Sequence, residues 1–361
     1  MNMKKLISFA AIICCIAGLT CSCGESNDGA SLPRGKATAA LDSAFNRYLG
    51  AIAESGMDLH SIMLVKDGKV VEEKWMSEGA PDKPHVMWSV SKSFTATAVG
   101  LAISEGKIRL DDKMTSFFPD DLPEHVSDTL AAVTIKDLLT MSCGHGTDHS
   151  NEISKDTTTR WEKIFMQYPF EHMPGEYFCY NSLGTYMLSS IVTKVTGEKV
   201  VDYLTPRLFE PLGIDKPEWE ENFEGVNCGG WGLHIKTEDM AKFGLCLLQG
   251  GKYRGKQVIP AEWVAEASAR QIDCRPAGMT PEQVEEAVRT ISKDWKKNSD
   301  WIQGYGYQMW RCRNNGYRAD GMNGQFIIML PDKNAVIAIT ANISAMQKEL
   351  NLVWEYIYPA L

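Results

Sequence analysis

Apolar positions near the start of the chain fall at helical spacing: Leu41, Phe45, Tyr48, Leu49 and Ile52 recur every three or four residues and predict a helix over 39–57. The period then shortens. Residues 61–65 and 70–75 are strand-like runs flanking Asp67-Gly68, a pair that accepts the positive φ angles of a two-residue hairpin turn. Toward the other end, 304–310, 325–330 and 335–340 read as three more strands, with a turn at 331–334 and a closing helix over 345–358. The stretch from 89 to about 300 is mostly helical in spacing, with long loops around 143–159 and 220–232. These elements predict an α/β (α+β) fold: an antiparallel sheet of about five strands flanked by helices, with a mainly helical subdomain inserted between its two halves. A cleft is expected where sheet and insert meet.

The first residues stand outside this pattern. Lys4 and Lys5 precede an apolar stretch over 6–19 that is short for a permanent membrane span and reads as an export signal. Cys21-Ser22-Cys23-Gly24 follows, and this small-residue segment resembles the lipobox of bacterial lipoproteins. Cys23 is the preferred lipidated residue, Cys21 is the alternative, and an unlipidated signal peptide is the third reading. Acyl chains on one cysteine would anchor the chain without spanning the bilayer. Residues 23–38, rich in Gly, Ser, Asn and Lys, read as a flexible tether. The expected organisation is a signal peptide (1–22), a tether (23–38) and one domain (39–361), with its sheet part in 39–85 and 300–361 and its helical insert in 86–299. The expected setting is the bacterial cell envelope, periplasm-facing or surface, with membrane contact through the lipid alone.

A hydrophobic content of 44% supplies a sizeable core, and a net charge of -9 argues against a nucleic-acid partner. Cys143, Cys179, Cys228, Cys246, Cys274 and Cys312 lie beyond the export segment without zinc-ribbon spacing, and their pairing stays open. His145, Asp148 and His149 lack a further set of ligands and read as a polar loop, so neither a metal nor another cofactor is expected.

Three segments carry candidate chemistry. Ser89-Val90-Ser91-Lys92 opens an apolar helix, where unpaired N–H groups and the helix dipole favour developing negative charge. Lys92 lies one turn from Ser89, so a buried, neutral amine there can accept the hydroxyl proton. Alone, the pair also fits an N-capping serine and a surface lysine. A second match at Ser104 and Lys107 falls at a helix end before a polar segment and reads as a cap region. Tyr180-Asn181-Ser182 precedes another helix; the phenol can relay a proton to a leaving group, or it can be core packing beside a capping residue. Residues 317–325 run into an apolar strand, and their glycines suit either close approach to a ligand or a tight turn. Trp88, Trp231, Tyr305, Tyr307 and Trp310 fall near the expected cleft, with Trp231 a candidate lining for an acyl pocket.

In this order and spacing, the three segments resemble the serine beta-lactamase and penicillin-binding protein superfamily. Residues 134–144 are similar to the stretch that follows the family's nucleophile helix, and 229–252 to a later glycine-rich segment. The resemblance implies acylation of Ser89, shared acid and base duty for Lys92 and Tyr180, and an oxyanion hole formed by the backbone N–H groups of Ser89 and Met322. It implies substrate contacts at Ser182, Trp231, Asp320, Gly321, Asn323 and Gly324. Ala319-Asp320-Gly321 stands where penicillin-binding enzymes have Lys-Thr-Gly, so the cation that grips a substrate carboxylate is missing there. Ser182 and the Gly321-to-Gln325 segment are closer to the class C-related esterases and aminohexanoate-oligomer hydrolases, and the expected substrate is a small ester, amide or short peptide. The rival expectation is a catalytically silent envelope protein that binds peptidoglycan fragments or peptides.

Overall fold

The computed structural model describes residues 31–361. The segment expected to be a signal peptide, with Cys21 and Cys23, lies outside the described residues. The helices that bear on the site are α1 (Ala39–Glu54), α2 (Ser91–Ser104), α3 (Ser182–Thr196), α4 (Thr237–Leu248) and α5 (Met346–Leu352). The main sheet has six antiparallel strands: β1 (Leu59–Lys66), β2 (Lys69–Trp75), β3 (Trp310–Arg311), β4 (Tyr317–Gly321), β5 (Gln325–Leu330) and β6 (Ala335–Ala341). Their order is β2-β1-β6-β5-β4-β3, so the two ends of the chain meet at the sheet centre. Ala338 of β6 lies opposite Met63 on one side and Ile327 on the other.

The hairpin turn forms as expected, with Asp67 at φ 51° and Gly68 at φ 76°. Side chains then alternate between two cores. Ile62, Leu64, Ile328, Ile337 and Ile339 pack with Leu41, Phe45, Tyr48 and Ile52 of α1 and with the C-terminal helix, whereas Met63, Val65, Ile327, Met329 and Val336 face the layer that contains α2 and α4. Each such side chain contributes about 1.5–3 kcal/mol by leaving water. Helix α4 lies so close to the sheet that a Cβ at Gly244 would sit 2.6 Å from both Ile327 and Val336. It therefore covers a sheet face, although its sequence position places it within the insert. Helix α2 is buried from Ser91 to Ala102, and its polar side chains are satisfied inside the core, with Ser93 donating to Gln308 O and Thr95 to Gly229 O.

The sheet differs from expectation at its far edge. Residues 304–310 do not form a strand: Gly306 N–H donates to Met309 O at 2.8 Å and Gln308 adopts φ 60°, so the chain turns and only Trp310 enters β3. The sixth strand is β4, fully buried yet carrying Arg318 and Asp320 on one face. The two neutralise each other, which hides the strand from a hydrophobic pattern. The last part of the expected tether is also packed: Leu32 is buried, and Val70 N–H donates to Pro33 O at 2.8 Å.

Candidate active site

Ser89 sits in a tight helical turn (Trp88–Val90) that leads into α2. Trp88 adopts φ 46°, a costly conformation for a bulky side chain. The turn is held by neighbours. Met87 N–H donates to Leu233 O at 2.8 Å, Ser91 Oγ–H donates to Trp88 O at 2.6 Å, and Ser91 Oγ accepts from Leu233 N–H at 3.1 Å. Ser91, a spacer in the sequence pattern, thus ties the Trp88–Val90 turn to the short strand Leu233–Ile235.

One turn later, Lys92 is 1% exposed. Its Nζ lies 3.0 Å from Ser89 Oγ, 3.0 Å from Ser182 Oγ and 2.8 Å from Gly230 O. Burial lowers its pKa to about 7, opposed by the more distant charges of Asp148 and Asp320. A neutral amine has two N–H groups and one lone pair. The carbonyl of Gly230 must take one N–H, and if Ser182 takes the other, the lone pair is left for the Ser89 hydroxyl.

Tyr180 closes the cluster, with its ring centroid 5.0 Å from Lys92 Nζ. Enclosure of the phenol pushes its pKa well above the usual value, and a hydrogen bond with Ser89 opposes that shift. A neutral phenol follows, suited to donating a proton. The ring stacks on Trp310 at 5.3 Å, and the next residue caps α3, with Asn181 Oδ1 accepting from Gly184 N–H at 3.0 Å. The Asn181 amide also meets His145 Nδ1 at 3.1 Å, so this buried histidine supports the loop.

Strand β4 brings the third segment to the same place. A Cβ on Gly321 would meet Met87 O at 2.4 Å, so the strand end lies directly against the turn that holds Ser89. Ser89, Tyr180, Trp301, Trp310, Asp320, Met322 and Met346 line one cavity of about 370 Å³, together with Pro276 and Ala277. Asp320 Oδ2 accepts from Arg318 Nε at 2.9 Å. Arg318 is itself fully buried, and Asp300 and Cys312 also surround its guanidinium.

The remaining sequence-derived site residues fall elsewhere. Ser182 contacts Lys92 directly, a role beyond the expected substrate contact. Trp231 lines a different cavity with Trp161 and Glu220 and not the one that holds Ser89. Asn323 and Gly324 adopt φ 64° and 86° and make the β4–β5 turn, where a Cβ on Gly324 would strike Glu349. They shape the hairpin and do not line the cavity. The second serine–lysine match is remote, since Ser104 Oγ–H donates to Leu101 O at the end of α2. Sequence reasoning missed Gly230 O, Trp301, Met346 and the Arg318–Asp320 pair. The alternation of charge in Arg318-Ala319-Asp320 was the available signal for the last.

The family model described as Beta-lactamase matches residues 45–360. The 6-aminohexanoate-dimer hydrolase of Paenarthrobacter ureafaciens is 25% identical over 296 residues, covering 77% of this chain and 71% of that protein. Two solved structures share the fold. A penicillin-binding protein homologue from Caulobacter crescentus is 15% identical with a TM-score of 0.67, covering 91% of this chain and 99% of that one. EstCE1, described as a hydrolase with promiscuous acyltransferase activity, is 14% identical with a TM-score of 0.69, covering 89% and 100%.

Proposed function

The chain belongs to the beta-lactamase family, and from that premise we propose that it is a serine hydrolase that cleaves ester or amide bonds through an acyl-enzyme on Ser89. The observation that carries this reading is the buried Lys92 amine, lying 3.0 Å from Ser89 Oγ with no carboxylate in ion-pair contact among the described residues. Burial outweighs the more distant charges of Asp148 and Asp320, so a substantial fraction is neutral near pH 7 and can take the serine proton.

Ser89 Oγ then attacks the carbonyl carbon, and its proton passes to Lys92. The carbonyl oxygen gathers the negative charge, for which the N–H groups of Ser89 and Met322 are the proposed donors. Tyr180 gives its proton to the departing alcohol or amine as the carbon–heteroatom bond breaks, and recovers one from Lys92. Water, deprotonated by the same pair, releases the acid and frees Ser89. The strained Trp88 turn fixes the hydroxyl for the attack.

Esters and linear amides are favoured over beta-lactams in this reading. Ala319 is 1% exposed in the core, and the nearest cation on the strand, Arg318, is buried behind Asp320. A lactam carboxylate would therefore find no cation on this strand. A linear-amide relative, the 6-aminohexanoate-dimer hydrolase, supports the same choice. Export with lipidation at Cys23 belongs to the proposal as the setting in which such a hydrolase works. A fluorophosphonate probe tests the reading: native protein is expected to be labelled once, and Ser89→Ala not at all. Equal labelling of the variant would refute it.

A further inference from the structure

The cavity that contains Ser89 is apolar on most sides, with Trp301, Trp310, Met322 and Met346 among its walls. Asp320 is the one charged residue among those that line it. The way Asp320 is held decides what the cavity presents to a ligand. Both contacts from Arg318 go to Oδ2, at 2.9 Å from Nε and 2.8 Å from the terminal nitrogen. Oδ1 makes no hydrogen bond among the described residues and is not a sealed, orphaned atom, so it is open to the cavity. The guanidinium lies behind, 0% exposed and 4.8 Å from the Trp301 ring centroid. The ion pair is thus a dipole with its negative end toward the substrate. Lys92 adds no fixed countercharge once it is neutral.

Resting on the acyl-enzyme reading of Ser89, we infer that Asp320 is a specificity-determining residue that selects esters or amides carrying a cationic amine on an apolar chain, and disfavours those carrying a carboxylate. A positive charge beside Oδ1 gains attraction in a cavity where apolar walls limit screening by water, and a carboxylate there meets repulsion. The selection is the reverse of that expected from a cation at this strand.

Matched isosteres test it. Choline butanoate is compared with 3,3-dimethylbutyl butanoate on the alcohol side, and the p-nitrophenyl esters of 4-trimethylammoniobutanoate, 5,5-dimethylhexanoate and monoglutarate on the acyl side. The expected result is at least about tenfold higher kcat/KM for the cationic ester than for its neutral isostere in one series, and monoglutarate about tenfold below neutral. In Asp320→Asn the cationic advantage should shrink to about threefold or less. Equal turnover of cationic and neutral esters in both series, or an unchanged ratio in a folded Asp320→Asn, overturns the inference. If that variant does not fold, the wild-type series decides alone. If no ester is turned over, the acyl-enzyme reading has failed separately. Calorimetric binding of choline against 3,3-dimethylbutanol then decides the charge preference: tighter choline supports it, equal or weaker choline overturns it.

Discussion

Ser89 Oγ and Lys92 Nζ stand 3.0 Å apart, one helical turn from each other, and the amine has Ser182 Oγ and Gly230 O as its other partners. The lysine is therefore surrounded by neutral oxygen atoms and is itself buried. The charged form loses hydration without gaining a carboxylate, and the base form gains by comparison.

Lys92→Arg separates a base from a charge. Arginine keeps the positive charge and does not release its proton near neutral pH. Acylation by an activated ester should fall by at least about 10²-fold while the fold survives. Wild-type acylation in a stopped-flow assay would leave Lys92 a purely electrostatic role.

The pH profile follows with a definite sign. Lys92 is protonated below its pKa of about 7 and neutral above it. Tyr180 stays protonated through this range because burial raises its pKa. The rate of acylation should climb as pH rises through about 7 and hold level toward pH 9. A fall across that interval would show that the protonated amine is the active form.

The same shift costs stability. Lys92 titrates near 7 when folded and at the ordinary lysine value of 10.5 when unfolded, so between those values the unfolded chain binds more protons and stability rises with pH. The penalty is complete below about pH 7 and gone above 10.5. Lys92→Met should therefore be more stable than wild type by at least about 1 kcal/mol at pH 7, with the advantage shrinking toward pH 10. Denaturant unfolding at both pH values reads the difference, and a destabilised Lys92→Met at pH 7 would contradict it.

Tyr180→Phe removes the proposed proton donor and keeps the ring that stacks on Trp310. Poor leaving groups need that proton and nitrophenolate does not. The variant should lose about 10²-fold on alkyl esters or amides and only a few-fold on p-nitrophenyl esters. Equal losses on both would assign Tyr180 to positioning alone.

How much of this was legible in sequence depends on whether the signal is local. Asp67-Gly68 fixed its hairpin because the turn needs only those two residues, and Ser89 and Lys92 were legible because helical spacing alone puts them on one face. Tyr180 needed the order of motifs, since its meeting with Lys92 is a long-range contact. Strand β4 was obscured because Arg318 and Asp320 cancel in the core, and 304–310 misled because its aromatic residues fill the core from a turn. Trp231 was misplaced for a related reason: its neighbour Gly230 contacts Lys92, while Trp231 itself lines another cavity.

A covalent bond from Ser89 Oγ to the acyl group can be caught by rapid-quench mass spectrometry of protein mixed with a slow ester. The expected result is a transient mass gain of one acyl group, located by digestion to the peptide bearing Ser89 and absent from Ser89→Ala. Steady turnover by Ser89→Ala, or an acyl group found on any other residue, would contradict it.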